Sequence, residues 1–111
     1  MDEINNELVD VKDALSRIGG SMDLYKRLLG QFTGGNYIDP LEEALHTGAM
    51  EEAAKSIHAL KGVAANLSLV KLSKLSGDLE HKIKNELDHS EVLADLKHAY
   101  LETSQAISEI M

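Results

Sequence analysis

The chain has 111 residues, 43% hydrophobic and 27% charged, with a formal net charge of −8 and no cysteine. This describes one domain, 1–111, that can bury a sizeable core but can form neither a disulfide nor a thiolate metal site. An acidic total and only four aromatic rings exclude a basic, base-stacking nucleic-acid surface, and no apolar run approaches the ~20 residues of a membrane span. With no signal-peptide pattern either, the expectation is a cytoplasmic domain that touches neither nucleic acid nor membrane.

The apolar spacing predicts helix throughout. Ile4, Leu8, Val11, Leu15 and Ile18 form one stripe, stopped at Gly19-Gly20, although Asp10 could also cap a shorter start at Val11. Ser21 suits the N-cap of a second helix using Leu24, Leu28, Leu29 and Phe32, which Gly34-Gly35 ends. Asp39-Pro40-Leu41-Glu42 looks like a capping box that opens a third helix, with Gly48 as its stop. A fourth helix runs from about Met50 to Leu67. Ser68 then caps a fifth through Leu72, Leu75, Leu79 and Ile83. Asp88 and Glu91 frame the start of a sixth, which carries Leu93, Leu96, Tyr100, Ile107 and Ile110. Met22 and Met50 read as gap-fillers, and Tyr25 and Tyr37 as core edges with wet hydroxyls. Short linkers make neighbours antiparallel. The expected fold is all-α, an up-down four-helix bundle with one or two additional short helices.

Charge is unevenly spread. From Lys55 to Lys84 six lysines face only Asp78 and Glu80, a basic island on an acidic chain that favours an acidic or phosphoryl-bearing partner. Within it, Ala53, Ile57, Leu60, Ala64 and Leu67 form the core stripe of the fourth helix. At about 100° per residue, His58 points roughly 140° away from that stripe. Lys55, His58, Gly62 and Ala65 share the outward face, with Lys61 on its flank. An outward histidine is ordinary surface unless its neighbours say otherwise, and here they do. Gly62 sits mid-helix, where it costs about 1 kcal/mol relative to alanine, and no kink or cap calls for it. Its use is to let another surface approach beside the imidazole. Imidazole can carry a covalent group on one ring nitrogen, and Lys61 at i+3 could stabilise an added phosphoryl anion. A convex helix face offers no pocket for a hydrolase.

These residues resemble a known family. His58-Ala59-Leu60-Lys61-Gly62-Val63-Ala64-Ala65-Asn66-Leu67-Ser68 resembles the signature of histidine phosphotransfer (HPt) domains, His-x-Leu-Lys-Gly followed later by a small residue. Ser68 stands where glycine is common, a departure that could alter the turn. Ala14–Gly20 and Leu24–Leu29 look like the family's opening helices, and Leu72–Glu80 like its post-histidine helix. The resemblance implies a phosphorelay intermediate without kinase activity of its own. His58 would take a phosphoryl group from an aspartyl phosphate on a response-regulator receiver domain and pass it to another. The receiver would supply the divalent metal, so no cofactor or metal of its own is expected. The chain would act as a monomer, free-standing or in cis to a hybrid sensor histidine kinase.

The resemblance also implies that a Gln or Glu on the next helix hydrogen-bonds the imidazole, and Glu80 holds the matching place. An antiparallel hairpin turning near Ser68 or Leu69 independently sets positions 58 and 80 side by side. Against this stands a plain surface pairing of Glu80 with Lys84 at i+4. His46, His81, His89 and His98 form no i, i+4 ligand pair, so no metal site is expected from them. The competing function is a helical adaptor that binds a receiver-like partner through the same basic face and takes no phosphoryl group.

Overall fold

Apolar residues recurring every three or four positions wind this chain into helices, and short polar or glycine-bearing segments separate them. The computed structural model describes residues 7–111. The helices are α1 (Val11–Arg17), α2 (Met22–Gly34), α3 (Asp39–Thr47), α4 (Met50–Asn66), α5 (Val70–Lys84) and α6 (Ser90–Ile110). No strand occurs among the described residues. The fold is all-α: α2, α4, α5 and α6 are the long members of a helical bundle, with α1 and α3 as short additions. Connectors at 67–69 and 85–89 are too short for anything but antiparallel packing of α4 on α5 and α5 on α6.

The core is continuous across these helices. Ala53, Ile57, Leu60 and Ala64 of α4 meet Leu72, Leu79 and Ile83 of α5 and Leu96, Ala99 and Ile107 of α6, all buried. Each fully buried Leu or Ile side chain contributes roughly 1.5–3 kcal/mol. Phe32 of α2 stacks on Tyr37 at 5.3 Å between ring centroids and tilts against Tyr100 of α6 at 5.6 Å. This aromatic cluster ties α2 to α6. No described helix is long and apolar enough to cross a membrane.

Several boundaries differ from the sequence expectation, each for a local reason. Helix α1 starts at Val11, with Asp10 Oδ1 accepting from the Asp13 N–H at 3.1 Å. Ile4 lies outside the described residues, and Leu8 to Asp10 are not helical. They run beside the α4–α5 turn instead. The Val70 N–H donates to Leu8 O at 2.9 Å and the Asp10 N–H to Ser68 O at 3.0 Å, with Val9 and Leu69 fully buried between them. Asp39 is the first residue of α3 and not its cap. Asn36 Oδ1 accepts the Asp39 N–H at 3.1 Å. Gly48 does end α3, in the left-handed conformation at φ 77°.

Ser68 is not the cap of α5. It takes the left-handed conformation, φ 56°, just past the end of α4. The Ser68 N–H donates to Ala65 O at 3.2 Å and the Leu69 N–H to Ala64 O at 2.9 Å. That is the Schellman closure of a helix, which normally uses glycine at this position. Tyr25 is no core edge. It is fully buried, and its hydroxyl donates to Leu67 O at 2.8 Å. The buried stripe of α2 is Tyr25, Leu29 and Phe32, so Leu24 and Leu28 flank it. Met22 and Met50 fill no gaps, because both are exposed at their helix starts.

Candidate functional site

With its aliphatic stripe turned into the core, α4 presents the opposite face to solvent. Lys55, His58, Gly62 and Ala65 are all exposed there. The His58 side chain is 76% exposed, which removes any reading of it as a core histidine. A Cβ added at Gly62 would meet nothing within 4 Å. No internal contact therefore requires glycine at that position.

One buried carboxylate organises this face from below. Glu80 lies on α5 in the antiparallel register opposite His58, and only 7% of its side chain is exposed. His58 Nδ1 is 2.9 Å from Glu80 Oε2, and Lys61 Nζ donates to Glu80 Oε1 at 3.1 Å. Lys84, one turn further along α5, brings its Nζ to 3.6 Å from Oε2. The contacts to His58 and to Lys84 are thus made together.

Burial alone would push the Glu80 carboxyl up. Hydrogen bonds from His58 and Lys61 and the charges of Lys61 and Lys84 outweigh it, holding the group below its ordinary value of 4.5. Glu80 is therefore ionised near neutral pH and can only accept hydrogen bonds. It follows that Nδ1 of the ring carries the hydrogen. In the neutral imidazole this leaves the lone pair on Nε2, the nitrogen not engaged by Glu80.

The remaining candidates are placed less closely. Lys61 does not stand free beside the imidazole, because its ammonium is bound to the carboxylate. Its stem crosses Gly77, where an added Cβ would lie 3.9 Å from Lys61 Cε. Positions 61 and 77 share the register of 58 and 80, which is the signal in the sequence for this contact. Lys55 pairs weakly with Glu52 at 3.8 Å, and nothing ties it to His58. The basic island is also not a single face, since Lys71 is held by Glu102 of α6 at 3.0 Å.

His81 bonds Asn85, and His98 lies 3.9 Å from Glu102. Among the described residues no group of three or more His, Cys, Asp or Glu could hold a metal ion. A cleft of about 650 Å³, lined by Leu28, Phe32, Tyr37, Val63, Asn66 and Leu67, lies further along α4. Neither His58 nor Glu80 lines it, so it takes no part in imidazole chemistry.

Residues 33–108 match the family described as Hpt domain, more than half of the chain. The matched segment holds α3 to α5 and nearly all of α6, but not Ala14–Gly20 or Leu24–Leu29. No curated protein and no solved structure matches the chain.

Proposed function

The chain belongs to the Hpt domain family, and on that premise we propose that His58 carries a phosphoryl group between the aspartates of response-regulator receiver domains. Domains of this family are phosphocarriers of phosphorelays and not kinases, and they interact with such receivers. The observation that supports the reading here is the pairing of an exposed imidazole with a buried acceptor. The 2.9 Å contact from Nδ1 to Glu80 fixes the tautomer and leaves Nε2 to attack.

In the transfer, the Nε2 lone pair forms a bond to phosphorus while the bond from phosphorus to the receiver's aspartyl oxygen breaks. The aspartate leaves as a carboxylate. The phosphorylated ring keeps its Nδ1 hydrogen and gains a positive charge, which the ionised Glu80 beside it stabilises. Passing the group on is the reverse of this step with a second receiver. The receiver would contribute the divalent metal, and Lys55, Gly62 and Ala65 would form the surface on which it docks. Lys61, released from Glu80 Oε1, could turn to the phosphoryl oxygens.

The test is to mix the protein with a phosphorylated receiver domain and follow the label. Uptake should be acid-labile, as phosphohistidine is. His58→Gln should abolish it while keeping helical content and the thermal midpoint of the parent. Full labelling of that variant, or an acid-stable label, overturns the assignment. Tight receiver binding with no uptake by the parent would favour a helical adaptor instead.

A further inference from the structure

Glu80 is shared between three groups, and two of them meet at the same oxygen. His58 and Lys61 reach it from α4, and Lys84 from α5 itself. These are the charged or titratable groups that act on the carboxylate. Lys61 Nζ holds Oε1 at 3.1 Å, while Oε2 has His58 Nδ1 at 2.9 Å and Lys84 Nζ at 3.6 Å. A carboxylate oxygen has two lone-pair directions, and at Oε2 the imidazole takes one while Lys84 flanks the oxygen.

We propose that Lys84 is a positioning residue for His58: it steadies Glu80 Oε2 against the Nδ1 hydrogen and draws part of the carboxylate's charge away from the ring. Two effects follow from the geometry. The terminal torsion of a glutamate is broad, so a carboxylate held at one oxygen alone can turn. Lys61 fixes Oε1 by a hydrogen bond, and Lys84, at 3.6 Å without a hydrogen bond, adds an ionic hold on Oε2, the oxygen that the imidazole meets.

The second effect is electrostatic. An imidazolium at His58 would be the third cation around a single anion. Lys84 therefore opposes a second proton on the ring and preserves the Nε2 lone pair. Its side chain is 61% exposed, so this influence is modest and weakens with salt. The consequence for transfer rests on the phosphocarrier reading, but the effect on the ring does not.

Ring titration by ¹⁵N NMR on the unphosphorylated protein tests the proposal without any receiver. At an ionic strength of about 0.01 M, Lys84→Gln should move the His58 titration to higher pH by about 0.3 units or more, roughly twofold in the protonation equilibrium. Lys84→Arg, which keeps the charge, should stay with the parent, and the difference should shrink at about 1 M salt. The pH profile of phosphoryl uptake from a small-molecule phosphodonor should move in the same direction. An unmoved or lowered titration in Lys84→Gln, or an equal shift in Lys84→Arg, overturns the proposal. A parent that takes up no phosphoryl group would overturn the phosphocarrier reading and leave the titration result standing.

Discussion

The α4–α5 hairpin is closed at its turn and open along its flank. At the turn, Leu67 O accepts from the buried Tyr25 hydroxyl, Ser68 O from the Asp10 N–H, and Leu8 O from the Val70 N–H. Ten residues back along α4, about 15 Å at helical rise, His58 leans on one carboxylate and is otherwise in water. The first region is backbone held by backbone and by a buried ring. The second is a set of side chains that meet at Glu80. The contrast separates two tasks: the turn fixes where the helices lie, and the side chains gathered at Glu80 have only the imidazole to aim. The proposed chemistry would then sit on an exposed imidazole, whose loss costs the fold less than that of the buried ring.

The largest test of this division is at Tyr25. Tyr25→Ala removes a fully buried aromatic and should cost about 3–5 kcal/mol in urea unfolding. His58→Ala, by contrast, loses one of the partners of the buried Glu80 and should cost about 0.5–1.5 kcal/mol. Comparable losses in the two variants would erase the distinction.

The two regions should also fail at opposite ends of the pH scale. Burial, aided by the negative charge of Asp10, pushes the Tyr25 hydroxyl from 10.0 up to about 12. The folded state thus holds that proton more tightly than the unfolded chain. Its contribution is complete below pH 10 and lost as pH rises through about 12. The loss is on the order of 2–3 kcal/mol, and Tyr25→Phe should not show it. Glu80 is depressed, so its contribution is present above 4.5 and lost as pH falls through its lower folded value. Glu80→Gln should flatten the acid limb of the stability curve and leave the alkaline limb alone.

A smaller effect is expected at Gly62, where stability and function should part. Gly62→Gln replaces a poor helix former in open space and should stabilise the protein by roughly 0.5–1 kcal/mol. On the proposed phosphocarrier reading it should nevertheless slow transfer from a receiver, because the added side chain would crowd the proposed docking face. A small-molecule phosphodonor needs no docking and should be affected less. Equal slowing with both donors would mean that the glycine serves the imidazole and not the partner.

The helices were legible because core-facing residues must recur at the helical period, and Ser21 and Gly48 act through their own local chemistry. The structure departs from the sequence expectation where two physical explanations fit the same letters. Leu8 fits the α1 spacing as a helical residue, yet it lies in a turn beside Ser68 and Val70, and only the tertiary hydrogen bonds choose that turn. Asp39 has the letters of a cap, but the cap position is Ile38, and the Asn36 side chain accepts the Asp39 N–H. Tyr25 lies next to the apparent stripe of α2, and a small rotation of that helix carries its ring inward. At the site, the hairpin register already paired positions 58 and 80. That Lys84 and His58 share one carboxylate oxygen is not legible, because the i+4 spacing and the hairpin register do not fix the side-chain torsions that bring both to Oε2.

Ser68 gives the finest test of the comparison, because three small terms meet there. Its left-handed backbone costs about 1–2 kcal/mol for a residue with a Cβ. Its hydroxyl offsets this by donating to Asp13 Oδ2 at 2.6 Å, a bond contributing about 0.5–1.5 kcal/mol. Ser68→Ala keeps the backbone strain and loses the bond, so it should destabilise by about 0.5–1.5 kcal/mol. Ser68→Gly loses the same bond but relieves the strain, at the expense of about 0.4–1 kcal/mol for a freer unfolded chain. These terms nearly cancel, and the glycine variant should lie within about 1 kcal/mol of the parent and above the alanine variant. The pair therefore isolates the backbone contribution at this turn by chemical denaturation. Both variants should take up phosphoryl groups at the parental rate wherever they remain folded, because neither touches the Glu80 cluster. Slower uptake in Ser68→Gly at unchanged stability would show that the turn reaches the imidazole through α4. The two regions would then be one mechanical unit.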